Sequence, residues 1–158
     1  MTDDAARAYL AGLQWLSRRE LSEAQLRQRL ARRAFSPDSI DAAITRLREE
    51  RALDDRRAAL ACARTEVRLK GRGRRRVEQR LMTLGIDRDV ARGAVAEAFG
   101  DVDEGALIER AIERRLRRGE SLDDPAVRAR VYRFLLGQGF DGDRVAGALR
   151  RRGSRETL

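Results

Sequence analysis

One spacing of apolar residues recurs three times along this 158-residue chain, and it constrains the fold more than any other feature. The first copy consists of Leu26, Leu30, Phe35, Ile40 and Ile44. The copy 105 residues later consists of Val131, Leu135, Phe140, Val145 and Leu149. The copy 50 or 51 residues later consists of Val77, Leu81, Ile86, Val90 and Ala94. Repeats of about 20–50 residues are typical of helical arrays, so the spacing predicts a tandem repeat.

Each copy carries the signals of two helices joined by a tight turn. Apolar residues four positions apart, such as Leu26 and Leu30, lie on one helix face. The central apolar residue is preceded by Ala34, Gly85 or Gly139, and glycine there permits the left-handed conformation that ends a helix. The next helix starts from a capping side chain, Ser36, Asp87 or Asp141. With a further helix before each pair, the pattern predicts a three-helix unit.

The composition favours helices throughout. Aromatic residues make up 4 % of the chain, there are two prolines, and β-branched runs are absent. We therefore predict an all-α fold, an elongated, curved array of three tandem three-helix repeats. The predicted repeats cover residues 5–53, 54–100 and 103–152, and residues 153–158 are expected to form a frayed tail.

The first repeat shows its helix signals most clearly. A first helix is predicted over residues 5–18, with Tyr9, Leu13 and Leu16 on its inner face. Trp15 on the same helix could stack on a base, but two apolar helix faces favour a core position. Ser22 and Gln25 have the spacing of a capping box, and Ser36-Pro37 and Asp124-Pro125 supply an N-cap followed by proline.

The most basic segment lies in the second repeat. Residues 64–80 contain eight cationic residues against Glu66 and Glu78: Arg64, Arg68, Lys70, Arg72, Arg74, Arg75, Arg76 and Arg80. Gly71 and Gly73 interrupt the helical pattern, so the segment is predicted to form a basic turn between two helices. Such a turn could contact a polyanion or an acidic groove. It lacks the Gly-x-x-x-x-Gly-Lys-Ser/Thr pattern of a phosphate-binding loop.

Several function classes are disfavoured by what the chain lacks. It has no histidine and a single cysteine, Cys62, so neither a disulfide nor a zinc site is expected. The base–nucleophile pairs of common enzymes are missing, so we expect no enzymatic activity and no cofactor. The acidic pairs Asp54-Asp55 and Asp123-Asp124 stand at helix starts, where carboxylates cap N–H groups. They are interpreted as structural.

The net charge of +9 favours an acidic or polyanionic partner. No apolar run approaches about 18 residues, so no membrane span is expected. The N-terminal segment has no signal-peptide pattern, and a cytoplasmic monomer is the expectation.

Three segments resemble the RecX family, bacterial regulators of the RecA recombinase. They read YLAGLQWLSRRELSEAQLRQRL (9–30), REERALDDRRAALA (48–61) and RLKGRGRRRVEQRLMTLGI (68–86). The resemblance covers about residues 5–153. It implies a non-enzymatic protein of tandem three-helix repeats that binds the RecA–DNA filament and inhibits its ATPase, strand exchange and coprotease activities. Ala58 replaces an aromatic residue that is usual in the family, and small residues around Cys62 replace another, which should thin the core of the second repeat.

The candidate contact residues come from three bends between first and second helices. In the second repeat they are Arg68, Lys70, Arg72, Arg74, Arg75 and Arg76. The equivalent bends of the first and third repeats supply Arg18, Arg19, Arg114, Arg115, Arg117 and Arg118. If all three bends line one face, the basic stripe repeats along the array.

A solvated helix face with internal ion pairs is the competing interpretation. Glu66 with Lys70 and Glu113 with Arg117 have the i, i+4 spacing of such pairs. Glu78 is the only acid within one turn after the Arg74–Arg76 run, so most of that run is expected to be unpaired and functional.

An alternative function is a DNA-binding helical array with no obligate protein partner. Basic three-helix units are common among DNA-binding proteins, and single- or double-stranded DNA is a possible ligand. No helix offers a clear set of Asn, Gln and Arg side chains for reading base edges. The sequence alone therefore leaves both partners open, with the filament preferred.

Overall fold

The computed structural model describes residues 1–156, which form nine helices and no strand. The helices are α1 (Asp3–Leu16), α2 (Glu23–Arg32), α3 (Pro37–Glu49), α4 (Asp55–Arg68), α5 (Arg74–Thr83), α6 (Arg88–Ala98), α7 (Glu104–Arg115), α8 (Pro125–Gly137) and α9 (Gly142–Glu156). The all-α prediction is confirmed. No helix in the described part of the chain is long and apolar enough to cross a bilayer.

The predicted caps form as the sequence suggested. Ser22 Oγ accepts from the backbone N–H of Gln25, and the Gln25 side chain accepts from the backbone N–H of Ser22. Ser36 and Asp124 cap α3 and α8, each followed by proline. The positions before the central apolar residues are left-handed in all three repeats, with φ of 60° at Ala34, 77° at Gly85 and 94° at Gly139. These local signals therefore set where the helices begin and end.

The described chain packs as two compact units. The first unit contains Met1–Ala63 and Arg80–Ala94, and the second contains Arg64–Gln79 and the residues from Val95 onward. The residues of the predicted second repeat are divided between the two units, so α4, α5 and α6 each contribute to both.

In the first unit, α1 packs closely on α3. The fully buried side chains here include Leu26, Leu30, Ile44 and Leu47. Gly12 permits the approach, because a Cβ at this position would lie 2.8 Å from Leu47 Cδ1.

The inner face predicted for α1 was partly wrong. The helix starts at Asp3 and ends at Leu16, and it buries Ala5, Ala8, Tyr9 and Gly12. Leu13 is 37 % exposed, because the small residues rather than the leucine row face α3. Trp15 is half-buried against this core, with the Arg33 guanidinium 4.9 Å from its ring centre.

The second unit is built on the apolar positions of the third repeat. Val131, Leu135, Phe140, Val145 and Leu149 are all buried. In the second repeat Val77, Leu81, Ile86 and Ala94 are buried too, whereas Val90 is only half-buried. The recurring pattern thus identifies core residues in every repeat.

The structure differs from the sequence at two further places, one an expectation and the other an ion pair of the competing interpretation. Residues 153–156 were expected to fray, but they continue α9, whose Arg152 contacts Glu109 and Glu113 of α7. Residues 157–158 of the predicted tail lie outside the described residues. The Glu113–Arg117 pair of the competing interpretation does not form, because α7 ends at Arg115 and i, i+4 geometry no longer applies. Glu113 contacts Arg152 instead, and the backbone N–H of Arg117 donates to Glu120.

Candidate binding site

The basic turn begins where α4 ends. Gly71 has a φ of 60°, and its N–H donates to the carbonyl oxygen of Val67 at 3.0 Å. The N–H of Arg72 donates to the carbonyl oxygen of Glu66 at 3.1 Å. These bonds satisfy carbonyl groups at the helix end, and the left-handed φ of Gly71 is one that glycine adopts more readily than other residues. The five residues from Leu69 to Gly73 then lead into α5.

The same turn is hydrogen-bonded to the turn between α8 and α9 in the second unit. Gly73 N–H donates to the Gln138 carbonyl at 2.8 Å, and Arg75 N–H donates to the Gly139 carbonyl at 3.2 Å. A Cβ on Gly139 would lie 2.4 Å from the backbone nitrogen of Arg76. The two backbones therefore meet at a distance that side chains would prevent.

Glu66 holds two of the candidate cations. Its side chain is 3 % exposed, and its carboxylate accepts from Lys70 Nζ and Arg72 NH1, each at 2.7 Å. Burial acts to raise the pKa of Glu66. The hydrogen bond from Lys70 and the charge of Arg72 act in the opposite direction and prevail, so the pKa lies below its ordinary value. The expected Glu66–Lys70 pair is present, and Arg72 joins it.

The expectation that most of the Arg74–Arg76 run has no acidic partner holds within residues 1–156 for Arg75 and Arg76, although Arg74 and Arg76 are both engaged by other parts of the chain. Arg74 Nε lies 3.1 Å from both carboxylate oxygens of Glu104, and its guanidinium lies 4.8 Å from the centre of the Phe99 ring. Arg76 NH1 donates to the Gly137 carbonyl at 3.0 Å. These partners are 30 and 61 residues away in sequence, so a search within one helical turn cannot find them.

Arg68 and Arg75 carry charges that no acidic side chain among residues 1–156 neutralises. Both are exposed, and neither forms an ion pair within residues 1–156. Arg75 is anchored only through its backbone N–H. Of the six candidates in the second repeat, these two are the ones whose side chains remain available to a partner.

A cleft of about 110 Å³ adjoins the basic turn. Four cations line it, and none of the lining residues in the described chain is acidic. The cationic members are Arg68, Lys70, Arg110 and Arg114. Val67, Leu107 and Phe134 supply apolar wall, and Gln138 supplies an amide. We call this feature the basic cleft.

The basic cleft unites candidates that the sequence had assigned to different repeats. Arg68 and Lys70 come from the second repeat, and Arg114 comes from the third, where it lies on α7. Arg110 was missed by the sequence analysis. The i, i+4 spacing of Arg110 and Arg114, which puts both on one helix face, was the signal that could have found it.

The other candidates lie outside the basic cleft. Arg115 stacks over Phe134 with 4.6 Å between its guanidinium carbon and the ring centre. Arg117 and Arg118 are exposed in the segment after α7. Arg18 and Arg19 are exposed in the turn after α1 and belong to the first unit.

Three of the four carboxylates in the acidic pairs accept backbone hydrogen bonds and so have structural roles. Asp54 accepts from the backbone N–H groups of Arg56 and Arg57, and Asp124 accepts from that of Ala126. Asp55 accepts from the backbone N–H of Glu23 at 2.8 Å. Among residues 1–156 there is no group of three His, Cys, Asp or Glu side chains placed to hold a metal ion.

Taken together, these features define an all-helical tandem-repeat protein with a cleft that is lined by four cationic side chains. Comparison with known protein families finds matches to one family along the chain. The chain matches three family descriptions in order: the first three-helix domain of RecX over residues 8–47, the second over 54–95 and the third over 103–149. The chain belongs to the RecX family, and the predicted organisation into three tandem three-helix repeats is confirmed.

Individual relatives agree with this assignment. The chain is 34 % identical over 139 residues to "Regulatory protein RecX" of Vibrio parahaemolyticus, covering 88 % of this chain and 87 % of the relative. It is 34 % identical over 135 residues to the protein of the same name from Xanthomonas oryzae pv. oryzae, covering 85 % and 82 %. The crystal structure of RecX from Lactobacillus salivarius superposes with a TM-score of 0.81 at 21 % identity, covering 96 % and 97 %, which supports the fold.

Proposed function

We propose that this protein regulates the RecA recombinase by binding the RecA–DNA filament and inhibiting its ATP hydrolysis, strand exchange and coprotease activity. Membership of a family of regulatory proteins supports the regulatory role. The observation that carries the binding role is the basic cleft, where four cations converge without an acidic residue among its lining. Glu66 compensates the charge of Lys70, whereas Arg68, Arg110 and Arg114 form no ion pair within residues 1–156. Positive charge of this kind attracts carboxylates and phosphates alike, and a RecA–DNA filament offers both.

We divide the candidate cations into two groups according to their contacts. Arg72, Arg74 and Arg76 are engaged within the chain and hold the basic turn in place. Arg68, Arg75 and Arg114 carry exposed charge and form no ion pair within residues 1–156. We therefore assign partner contact to the second group and positioning to the first. Lys70 belongs to both, since it contacts Glu66 and lines the basic cleft.

The test is DNA-dependent ATP hydrolysis by RecA with increasing amounts of this protein. The wild type should inhibit, and the triple variant Arg68→Ala/Arg75→Ala/Arg114→Ala should lose most of that inhibition. A control with the same change in net charge is Arg88→Ala/Arg133→Ala/Arg150→Ala, which alters exposed arginines outside the basic cleft. Equal loss in both triple variants would contradict a localised site. Absence of inhibition by the wild type would contradict the proposed function.

A second candidate function is DNA binding without an obligate protein partner. It is favoured by the exposed cations of the turn, because phosphates could bind them as readily as carboxylates. Affinity for bare single-stranded DNA, bare double-stranded DNA and the RecA filament should be compared at matched salt. Tighter binding to the filament supports the first proposal, and equal affinity for all three supports the second. Binding to bare DNA should weaken steeply with salt, since counterions are displaced from phosphates.

A further inference from the structure

The dimensions of the basic cleft restrict what can occupy it. Its volume of about 110 Å³ is well below the roughly 300–1,000 Å³ of typical small-molecule sites. A space of this size suits one small anionic group, such as a carboxylate or a phosphate, better than a whole nucleotide. Converging arginines recognise such acidic groups through charge-assisted hydrogen bonds.

The residue between two cleft cations points to the class of partner. Leu69 stands between Arg68 and Lys70 in sequence, and it is 79 % exposed. Among the described residues it is the most exposed large apolar side chain. An isolated exposed leucine is ordinary on a protein surface. Its position within the basic turn is informative, because phosphate groups offer no apolar contact to an aliphatic side chain, whereas an apolar side chain of a protein partner does.

The geometry of the turn is already organised for binding. The buried carboxylate of Glu66 restrains Lys70, and the hydrogen bonds of Gly73 and Arg75 fix the backbone. A restrained site loses less conformational entropy on binding, which favours a specific protein contact.

We propose that the basic cleft receives one acidic side chain of a protein partner, and that Leu69 contacts an apolar side chain beside it on the same partner. The recognised element is thus an acidic residue next to an apolar one on a protein surface. This inference rests on the proposed function in one respect, since the partner used in the first experiment is the RecA filament.

The first experiment compares two ligands. Binding to a RecA filament on single-stranded DNA, formed with a non-hydrolysable ATP analogue, is measured beside binding to free oligothymidylate. The variant Arg110→Ser/Arg114→Ser should weaken filament binding about tenfold or more relative to the charge-matched control Arg133→Ser/Arg150→Ser. Its effect on oligothymidylate should equal that of the control. Leu69→Ser should weaken only filament binding, whereas Leu10→Ser, at a leucine 61 % exposed in α1, should weaken neither.

Two results of this experiment would overturn the inference. One is an equal loss of oligothymidylate and filament binding in the cleft variant, which would make the cleft a phosphate site. The other is filament binding by Leu69→Ser that matches that of Leu10→Ser. Circular dichroism of each variant verifies folding, and all the altered side chains are exposed.

A second experiment tests, without RecA, whether the basic cleft binds acidic side chains. The acetylated peptide Glu-Leu-Glu is titrated into the full chain while backbone amide NMR signals are recorded. Shifts should concentrate at Gly71, Ala111 and Gln138, which line the cleft. They should vanish with Gln-Leu-Gln or with Arg110→Ser/Arg114→Ser. Shifts spread evenly over exposed arginines, or none at the cleft, would overturn the inference. If the wild type does not bind the filament but these shifts occur, the proposed function fails and the cleft assignment stands.

Discussion

Gly73 and Gly139 meet backbone against backbone. A Cβ on Gly73 would lie 2.5 Å from both the carbonyl carbon and the carbonyl oxygen of Gly139. Gly139 is also left-handed, with a φ of 94°. This contact joins the basic turn to the turn between α8 and α9, which includes Gln138, one of the residues that line the basic cleft.

Gly73→Ala should therefore destabilise the protein by about 1–3 kcal/mol, because the methyl group overlaps backbone atoms that cannot rotate away. Gly93→Ala is the matched control. It lies in α6, and a Cβ there meets no atom within 4 Å. That change should stabilise by about 0.5–1 kcal/mol, since alanine is the better helix former. Urea unfolding followed by circular dichroism measures both, and a neutral Gly73→Ala would contradict the close contact.

Glu66→Gln should destabilise the protein by about 1–3 kcal/mol at neutral pH, because two cations lose their buried partner. The Glu66 pKa is lower in the folded protein than the ordinary 4.5, so the folded state favours the ionised carboxyl. Its contribution to stability is complete above pH 4.5 and is lost as the pH falls through the lower, folded-state pKa.

The difference in unfolding free energy between wild type and Glu66→Gln should accordingly shrink on acidification below pH 4.5. Glu97→Gln is the control, because its side chain is 64 % exposed and contacts Arg64 only at 3.8 Å. It should change stability by less than about 0.5 kcal/mol. A pH-independent difference for Glu66→Gln would argue against the ion-pair cluster.

Substitutions of the neighbours Arg74 and Arg75 should affect different properties, stability for Arg74 and inhibition of RecA for Arg75. Arg74→Ala removes the contacts with Glu104 and Phe99 and should cost about 1–2 kcal/mol of stability. Arg75→Ala removes an exposed side chain and should change stability by less than about 0.5 kcal/mol. Inhibition of the RecA ATPase should nevertheless fall more in Arg75→Ala at temperatures where both variants are folded. The reverse order would show that Arg75 has no part in the contact.

The Ser22 hydroxyl forms two hydrogen bonds, one that caps α2 and one to the backbone carbonyl of Leu84. Its Oγ accepts from the Gln25 N–H and donates to the Leu84 carbonyl at 2.5 Å, and the residue is 1 % exposed. Ser22→Ala should cost about 2 kcal/mol, because the cap is lost and a carbonyl loses its donor. Thr2→Ala removes a single capping bond to the Ala5 N–H and should cost about 0.5–1 kcal/mol. Thermal unfolding compares the two, and equal costs would mean that the bond to Leu84 contributes nothing.

The sequence predicted local features well and side-chain partners poorly. Ser22, Gly85 and Asp124 act where a helix starts or stops, and their conformations depend on neighbours a few residues away. The partners of Arg74 and Arg76 were not foreseen, because Glu104 and Gly137 become their neighbours only after folding. The pairing of Glu66 with Lys70 was anticipated because both lie within one helical turn.

The sequence by itself determined the all-helical class, the three repeats and most of the buried apolar positions, because these follow from spacings within single helices and turns. Only the tertiary structure decided which cations are held internally and which line the basic cleft. Arg68 and Arg114 are 46 positions apart in the chain, and they line one cleft. Electrostatic contact depends on distance in space, and packing rather than chain order sets that distance.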